Sequence, residues 1–178
     1  MARHLMTSTS EHFDPSSHFD TSLAAKYDRR IRLFCPNYDA LHQMIVSWLQ
    51  CLPERSTFLS AGAGTGAEIV TLGKRFPSWR FVAVDVSPDM LGACQQRAAE
   101  VGIADRVSFF NGRLQDYQSR GQFDGASSIF VAQFVKDREE KLAYFRSVAS
   151  HLKPGGLFIL ADLFGDTAPP FILVGYWK

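Results

Sequence analysis

The stretch "TFLSAGAGTGAEIV", residues 57–70, decides the fold. Its first five residues form a short apolar run that reads as a strand. Gly62, Gly64 and Gly66 then alternate through a turn, and "GAEIVTLGKRF" (66–76) reads as a helix. Glycine tolerates left-handed backbone and lets another group come close, and the start of a helix offers unpaired amides. In an open parallel sheet a ligand lies beyond the carboxyl ends of the strands. Two readings follow: a cradle for a ligand, or a tight strand–helix turn that holds none. Ser60, directly before the turn, needs an explanation under either.

The next strand adds a second feature. "FVAVDVSPDML" (81–91) ends an apolar strand in Asp85, roughly 20 residues beyond the glycines. An acid at the tip of this strand can accept hydrogen bonds from both hydroxyls of an adenosine ribose; alternatively it serves the helix start that follows, as Ser87 and Asp89 do. Two cofactors fit both features. Gly62, Gly64 and Ala67 satisfy the dinucleotide pattern G-x-G-x-x-G/A. Gly62, Gly64 and Gly66 also give G-x-G-x-G, which suits S-adenosyl-L-methionine, a ligand without a pyrophosphate.

Outward from this centre, short apolar strands alternate with helices. "RVSFF" (106–110) is a third strand and "FDGASSIFVAQF" (123–134) a fourth running into a loop. "KPGG" (153–156) turns the chain into a fifth, "LFILADLF" (157–164). Ser87 caps the helix from Pro88, and Asp137 caps the helix from Arg138. The alternation argues for an α/β fold with a doubly wound parallel sheet of about five strands and helices on both faces. Upstream, "TSLAAKYDRRIRLF" (21–34) places Leu23, Tyr27, Ile31 and Phe34 on one helical stripe, with Thr21 or Ser22 as cap. "NYDALHQMIVSWLQCL" (37–52) puts Leu41, Ile45, Trp48 and Leu52 at helical spacing. The chain divides into a loose polar tail (1–20) and a single domain (21–178). That domain has a helical cap (21–53), a cofactor-binding core (57–164) and a C-terminal segment (165–178).

Composition narrows the function. The 178 residues suffice for one domain with a real core, and 46% of them are apolar. Nineteen basic and eighteen acidic side chains nearly cancel, so charge gives no direct sign of a nucleic-acid partner. Cys35, Cys51 and Cys94 are scattered and form no metal-ligand cluster; they read as small buried hydrophobes of a reducing compartment. No run approaches the roughly 20 apolar residues of a membrane span, and no signal peptide stands at the N-terminus. The expectation is a cytoplasmic protein with no membrane partner and no metal.

The segments "FLSAGAGTG", "VAVDVSPDML", "VSFFNGRLQDY", "FDGASSIFVAQFV" and "HLKPGGLFILAD" occur in the order and spacing of class I S-adenosylmethionine-dependent methyltransferases, and the chain resembles that family from about Phe58 to Asp162. "AAKYDRRIRLFCPNYDAL" (24–41) resembles the cap of the subgroup that includes carboxy-S-adenosylmethionine synthase, an enzyme of tRNA wobble-uridine modification. The resemblance implies a Rossmann-like fold, with S-adenosyl-L-methionine as cofactor and S-adenosyl-L-homocysteine as product. It also implies roles. Gly62, Ala63 and Gly64 lie under the methionine portion, and Asp85 holds the ribose. Val86 and Met90 stand beside the adenine, and Gly112, Arg113 and Leu114 flank its edge. Ile129 and Phe130 sit near the sulfonium, and Tyr38 closes over the cofactor from the cap. Tyr38, Ile129 and Phe130 each read equally well as ordinary core residues.

Three departures from the family stand out. Ser60 replaces an acid that helps hold the methionine amino group; serine accepts a hydrogen bond but lacks the charge. Arg113 replaces an aspartate and cannot accept from the adenine amino group. Ile129 replaces the subgroup's asparagine. Each lost hydrogen bond weakens cofactor binding by about 1 kcal/mol. The family also continues past the fifth strand with a helix and an antiparallel hairpin, which the final "GDTAPPFILVGYWK" does not supply in full. An uncovered fifth strand is an edge open to a homodimer or a swapped element.

Methyl transfer asks the protein to align donor and acceptor and to exclude water. No residue stands out as a general base. His4, His12 and His18 fall in the tail, and His42 and His151 read as structural. Tyr27, Arg30 and Gln133 are candidates for substrate contact. The leading expectation is a methyltransferase acting on a small-molecule acceptor. The alternatives are an enzyme that carboxylates the cofactor, a degenerate non-catalytic binding module and, more distantly, a nicotinamide dehydrogenase.

Overall fold

The computed structural model describes residues 21–119 and 121–163. The elements in chain order are α1 (Thr21–Phe34), α2 (Tyr38–Leu49), β1 (Thr57–Ala61), α3 (Ala67–Arg75), β2 (Arg80–Asp85), α4 (Pro88–Glu100), β3 (Val107–Asn111), β4 (Phe123–Ile129), α5 (Arg138–His151) and β5 (Leu152–Ala161). All strand pairs are parallel, in the order β3-β2-β1-β4-β5. The chain steps outward from β1 through β2 to β3, then returns to lay β4 on the other side of β1. With right-handed crossovers, that reversal puts α3 and α4 on one face and α5 on the other. This is the doubly wound, Rossmann-like sheet that the sequence implies.

Side-chain alternation along β1 separates the two cores. Phe58 faces the layer of Ile69, Leu72, Trp79, Phe81 and Cys94, joined by Ile31, Leu41, Ile45 and Leu49 of α1 and α2. Leu59 and Ala61 face Tyr144 and Val148 of α5. The reversal at β1 leaves a crevice between the carboxyl ends of β1 and β4, where ligands of such sheets bind.

The helix caps behind this geometry are local. Ser87 Oγ accepts from the Met90 amide at 3.2 Å, with Pro88 in the first turn of α4. Asp137 Oδ1 accepts from the Glu140 amide at 2.9 Å. Arg106 reaches past the end of α3, where its guanidinium donates to the carbonyls of Gly73, Phe76 and Trp79.

Several sequence expectations need correction. Thr21 and Ser22 both fall within the described range of α1 rather than before it. Phe34 is 55% exposed, because Cys35, one position on, takes the inward side of the stripe begun by Ile31. Trp48 is 49% exposed; Leu49 takes its inward place after Ile45, again one residue on. Cys51 is exposed, whereas Cys35 and Cys94 are buried. "KPGG" lies inside β5: Leu152 pairs with Phe123 and Leu157 with Gly125, so the intervening residues bulge, with Gly155 at φ +80°. The tail (1–20), with its three histidines, and the C-terminal segment (165–178) lie outside the described residues. No described helix is long and apolar enough to cross a membrane.

Candidate functional site

The three glycines of the turn have three different neighbours. A Cβ on Gly62 would fall 2.3 Å from the Val131 side chain, and one on Gly66 would fall 2.5 Å from Cys94 Sγ and 3.2 Å from the Cys94 Cα. Gly64 alone of the three faces open space. All three have φ between +52° and +79°, the left-handed region that favours glycine. Two of the glycines therefore admit the protein's own chain, and one opens to solvent.

The turn's amides are also engaged. Those of Gly62 and Ala63 both donate to the Val84 carbonyl, at 2.8 and 2.9 Å. The Gly64 amide donates to Asp85 Oδ2 at 2.8 Å, and the Ser87 amide to Oδ1 at 2.9 Å. Asp85 thus ties the turn to the start of α4. Burial raises its carboxyl above the usual range, while the Ser87 and Gly64 amides oppose that shift. Beside these backbone amides, to which that of Val86 adds, the two oxygens keep acceptor capacity toward a diol. Burial and then Asp85 push the Tyr27 hydroxyl and the Cys94 thiol up to about 12, so both stay protonated near neutral pH.

The remaining sequence-predicted residues fall around this centre. Gly112 donates its amide to the Asp85 carbonyl at 3.0 Å, and the Asn111 side chain donates to the carbonyls of Asp85 and Val86. These bonds hold the tips of β2 and β3 together. Met90 and Leu114 are buried, and Arg113 is exposed. Ile129 is half-buried at the end of β4. Phe130 follows it with φ +58°, the one positive φ among described non-glycine residues, and its amide donates to the Ala161 carbonyl. Such a backbone costs on the order of 1–3 kcal/mol and marks a constrained corner. Tyr38 is buried against that corner, stacked on Phe130 at 6.1 Å and edge-on to His42 at 4.5 Å.

His42 Nδ1 lies 2.8 Å from the Tyr38 carbonyl. Both ring nitrogens of His151 face carbonyls, of Ser147 and Tyr117, which is a structural placement. Gln133 bridges the Phe130 carbonyl and the Leu163 amide, and Arg30 is exposed.

Two groups were not anticipated from sequence. The first ties α1 to the glycine turn: Thr65 Oγ1 donates to Asp28 Oδ1 at 2.9 Å, and Arg97 of α4 pairs with Asp28 and donates to Thr65. The second is Glu68, buried beneath α2, whose Oε2 accepts from Ser60 Oγ at 2.9 Å and Ser127 Oγ at 2.6 Å. Its one sequence signal is position. Ile69, Leu72 and Gly73 define the inward face of α3, and Glu68 stands one turn before Leu72 on that face. A separate cleft of about 320 Å³, lined by Arg32, Asp39, His42, Gln43, Arg97 and Glu100 among others, includes none of the sequence-predicted site residues. It belongs to the packing of α1 and α2 on α3 and α4, where Arg32 already pairs with Asp39 at 2.8 Å.

Known proteins match this arrangement. The family described as "Methyltransferase domain" matches residues 58–156, from β1 into β5. The biotin biosynthesis bifunctional protein BioHC of Teredinibacter turnerae is 30% identical over 164 residues, covering 89% of this chain and 28% of that protein. The carboxy-S-adenosyl-L-methionine synthase of Ruthia magnifica is 28% identical over 150 residues, covering 81% of this chain and 60% of that one. The chain thus spans between about a quarter and three-fifths of the length of these relatives. Among solved structures, an S-adenosylmethionine-dependent methyltransferase from Clostridium acetobutylicum superposes with a TM-score of 0.68 at 23% identity, over 80% of this chain and 56% of that one. That likeness is one of fold. The family match covers more than half of the sequence, and the chain belongs to the methyltransferase-domain family.

Proposed function

We propose that this methyltransferase-family chain binds S-adenosyl-L-methionine at the carboxyl ends of β1, β2 and β4 and transfers its methyl group to a small-molecule acceptor. The observation that carries the reading is the Asp85–Gly64 hydrogen bond beside the open face of Gly64. A buried carboxylate with acceptor capacity left over adjoins a backbone stretch that a ligand can approach, which fits a ribose diol and the chain beyond it. Under this reading Asp85 holds the ribose, and Gly62, Ala63 and Gly64 underlie the methionine portion. Val86, Met90, Gly112, Arg113 and Leu114 surround the adenine. Ile129 and Phe130 border the sulfonium, Tyr38 covers it, and Ser60 supports the amino-acid end.

When bound, the cofactor supplies an electrophilic methyl group. The chain's contribution is position and exclusion of water. Tyr38 and Phe130 stack as an apolar wall. Burial pushes the Tyr38 hydroxyl well above its ordinary value, so it remains a neutral donor near pH 7. The Asp28–Thr65–Arg97 ties fix α1 against the turn. An acceptor with no proton to lose on attack needs no general base.

Calorimetric titration of the purified chain with S-adenosylmethionine and S-adenosylhomocysteine, with NAD as control, tests the reading. Micromolar binding of the adenosyl ligands without NAD binding is the expected result; a folded chain that binds neither overturns it. A second reading, in which the chain carboxylates its cofactor, draws on the 81% coverage by the carboxy-S-adenosyl-L-methionine synthase of Ruthia magnifica. Mass spectrometry of the bound cofactor after incubation with prephenate separates the two. A homodimer through β5, one of the two outer strands among the described residues, is part of the proposal and is read by sedimentation.

A further inference from the structure

Glu68 is 6% exposed, and its Oε1 is buried with no hydrogen-bond partner among the described residues. Its Oε2 takes two neutral hydroxyls, from Ser60 and Ser127. Those serines are register partners on β1 and β4, so the carboxyl group sits at the crevice where the two strands diverge. His42 of α2 favours its charged form, Tyr38 of α2 and, from across the sheet, Tyr144 of α5 feel its charge, and no lysine or arginine among the described residues is an electrostatic partner. His42 has one ring nitrogen against the Tyr38 carbonyl. A carboxylate buried with neutral donors and one bare oxygen is costly unless a cationic donor joins it.

We propose that Glu68 anchors the ammonium group at the amino-acid end of the bound cofactor, supplying from α3 the negative charge that Ser60 lacks on β1. The assignment rests on the cofactor reading above. Three observations support it. The Glu68 carboxyl lies within one hydrogen bond of Ser60, so the acid is relocated rather than lost. Strand order places Asp85 on β2 and Glu68 at the β1–β4 crevice, on opposite sides of the glycine turn. A ligand held by its sugar at Asp85 therefore extends toward Glu68 across Gly64. The chemistry of the bare oxygen selects the group. It lacks a donor, a sulfonium has no N–H to give, and an ammonium has three.

The test uses two ligands that share the adenosine and the thioether. S-adenosylhomocysteine carries the amino-acid end and 5′-methylthioadenosine does not. Glu68→Gln is expected to weaken S-adenosylhomocysteine by at least about tenfold and to leave methylthioadenosine within about twofold. Moving the charge back in the double variant Ser60→Asp/Glu68→Gln is expected to restore most of the loss. If Glu68→Gln weakens both ligands alike, or neither, the assignment is overturned and the cofactor reading survives. If the folded wild-type chain binds neither ligand, both fall. Should Glu68→Gln not fold, the wild type is titrated with the 2-oxo analogue of S-adenosylhomocysteine. Binding weaker by about tenfold supports the ammonium contact, and equal binding overturns it.

Discussion

Asp85 and Glu68 are both buried acids beside one glycine turn, and in both burial raises the carboxyl above its ordinary range. Their partners differ. Asp85 takes a backbone amide on each oxygen, from Gly64 and Ser87. Glu68 takes two side-chain hydroxyls on one oxygen and, among the described residues, nothing on the other. The first acid is part of how the turn folds. The second is held in place by the fold and left under-satisfied. A group that completes its own scaffold is a poor place to store binding energy; a group left short of donors is where a ligand gains most.

The largest expected effect comes from the turn that links the two acids. Gly66 opens α3, the helix that carries Glu68, with φ +79° and Cys94 in the space a Cβ would fill. Gly66→Ala combines left-handed strain with a clash against the Cys94 side chain and should cost about 3 kcal/mol, read as a fall in the urea midpoint. Gly64→Ala meets open space and should cost only the strain, about 1–2 kcal/mol. Equal losses would mean that Cys94 yields easily and that the turn is not packed as described.

Asp85→Ala comes next. It leaves the amides of Gly64 and Ser87 without their acceptor and removes two charge-assisted bonds, so stability should fall by about 2–3 kcal/mol. Glu68→Gln should behave in the opposite way. It removes a buried charge that lacks a full set of donors, so the folded chain should be as stable as the wild type at pH 7, or more stable by about 1 kcal/mol. Chemical denaturation of the two variants side by side decides the comparison. If both lose stability equally, Glu68 is scaffold, and the contrast between the acids disappears.

The same contrast explains what was legible in the sequence. Asp85 could be found because its donors are backbone groups set by a local motif, at a strand tip that apolar alternation announces. The parallel sheet and the caps at Ser87 and Asp137 were legible from similarly local patterns. Glu68 was not, because its donors stand 8 and 59 residues away and meet it only once β1 and β4 pair in register. Ser60 looked like a lost acid when read along the chain; across the sheet it is the hydroxyl that holds a different one. The glycines misled in part: Gly62 and Gly66 signal close approach, but by Val131 and Cys94. The helix faces slipped by one residue at Phe34 and Trp48, where apolar neighbours on both sides of the stripe left the inward position undetermined.

The smallest expected effect concerns pH and two acids near β5. Asp162 follows β5, with Oδ1 buried and unpartnered among the described residues, and burial lifts its carboxyl from 3.8 to about 6. The folded chain therefore holds this proton more tightly than the unfolded chain. The stability it contributes is fully present below pH 3.8 and is lost as pH rises toward about 6. Asp124 has the opposite sign. Burial raises it, but Lys153 and the Thr57 amide outweigh that and bring it below its ordinary value. Its contribution is present at neutral pH and fades in acid. Asp162→Asn should flatten the decline in stability between pH 4 and 6 and leave the acid limb unchanged, as read from denaturant midpoints across that range. Made on the Glu68→Gln background, the comparison removes the like-signed contribution of Glu68, and that of Asp85 cancels between the two chains. A decline of undiminished slope would show that Asp162 reaches solvent in the folded chain. Glu68 would then be the under-satisfied acid that matters at this end of the sheet.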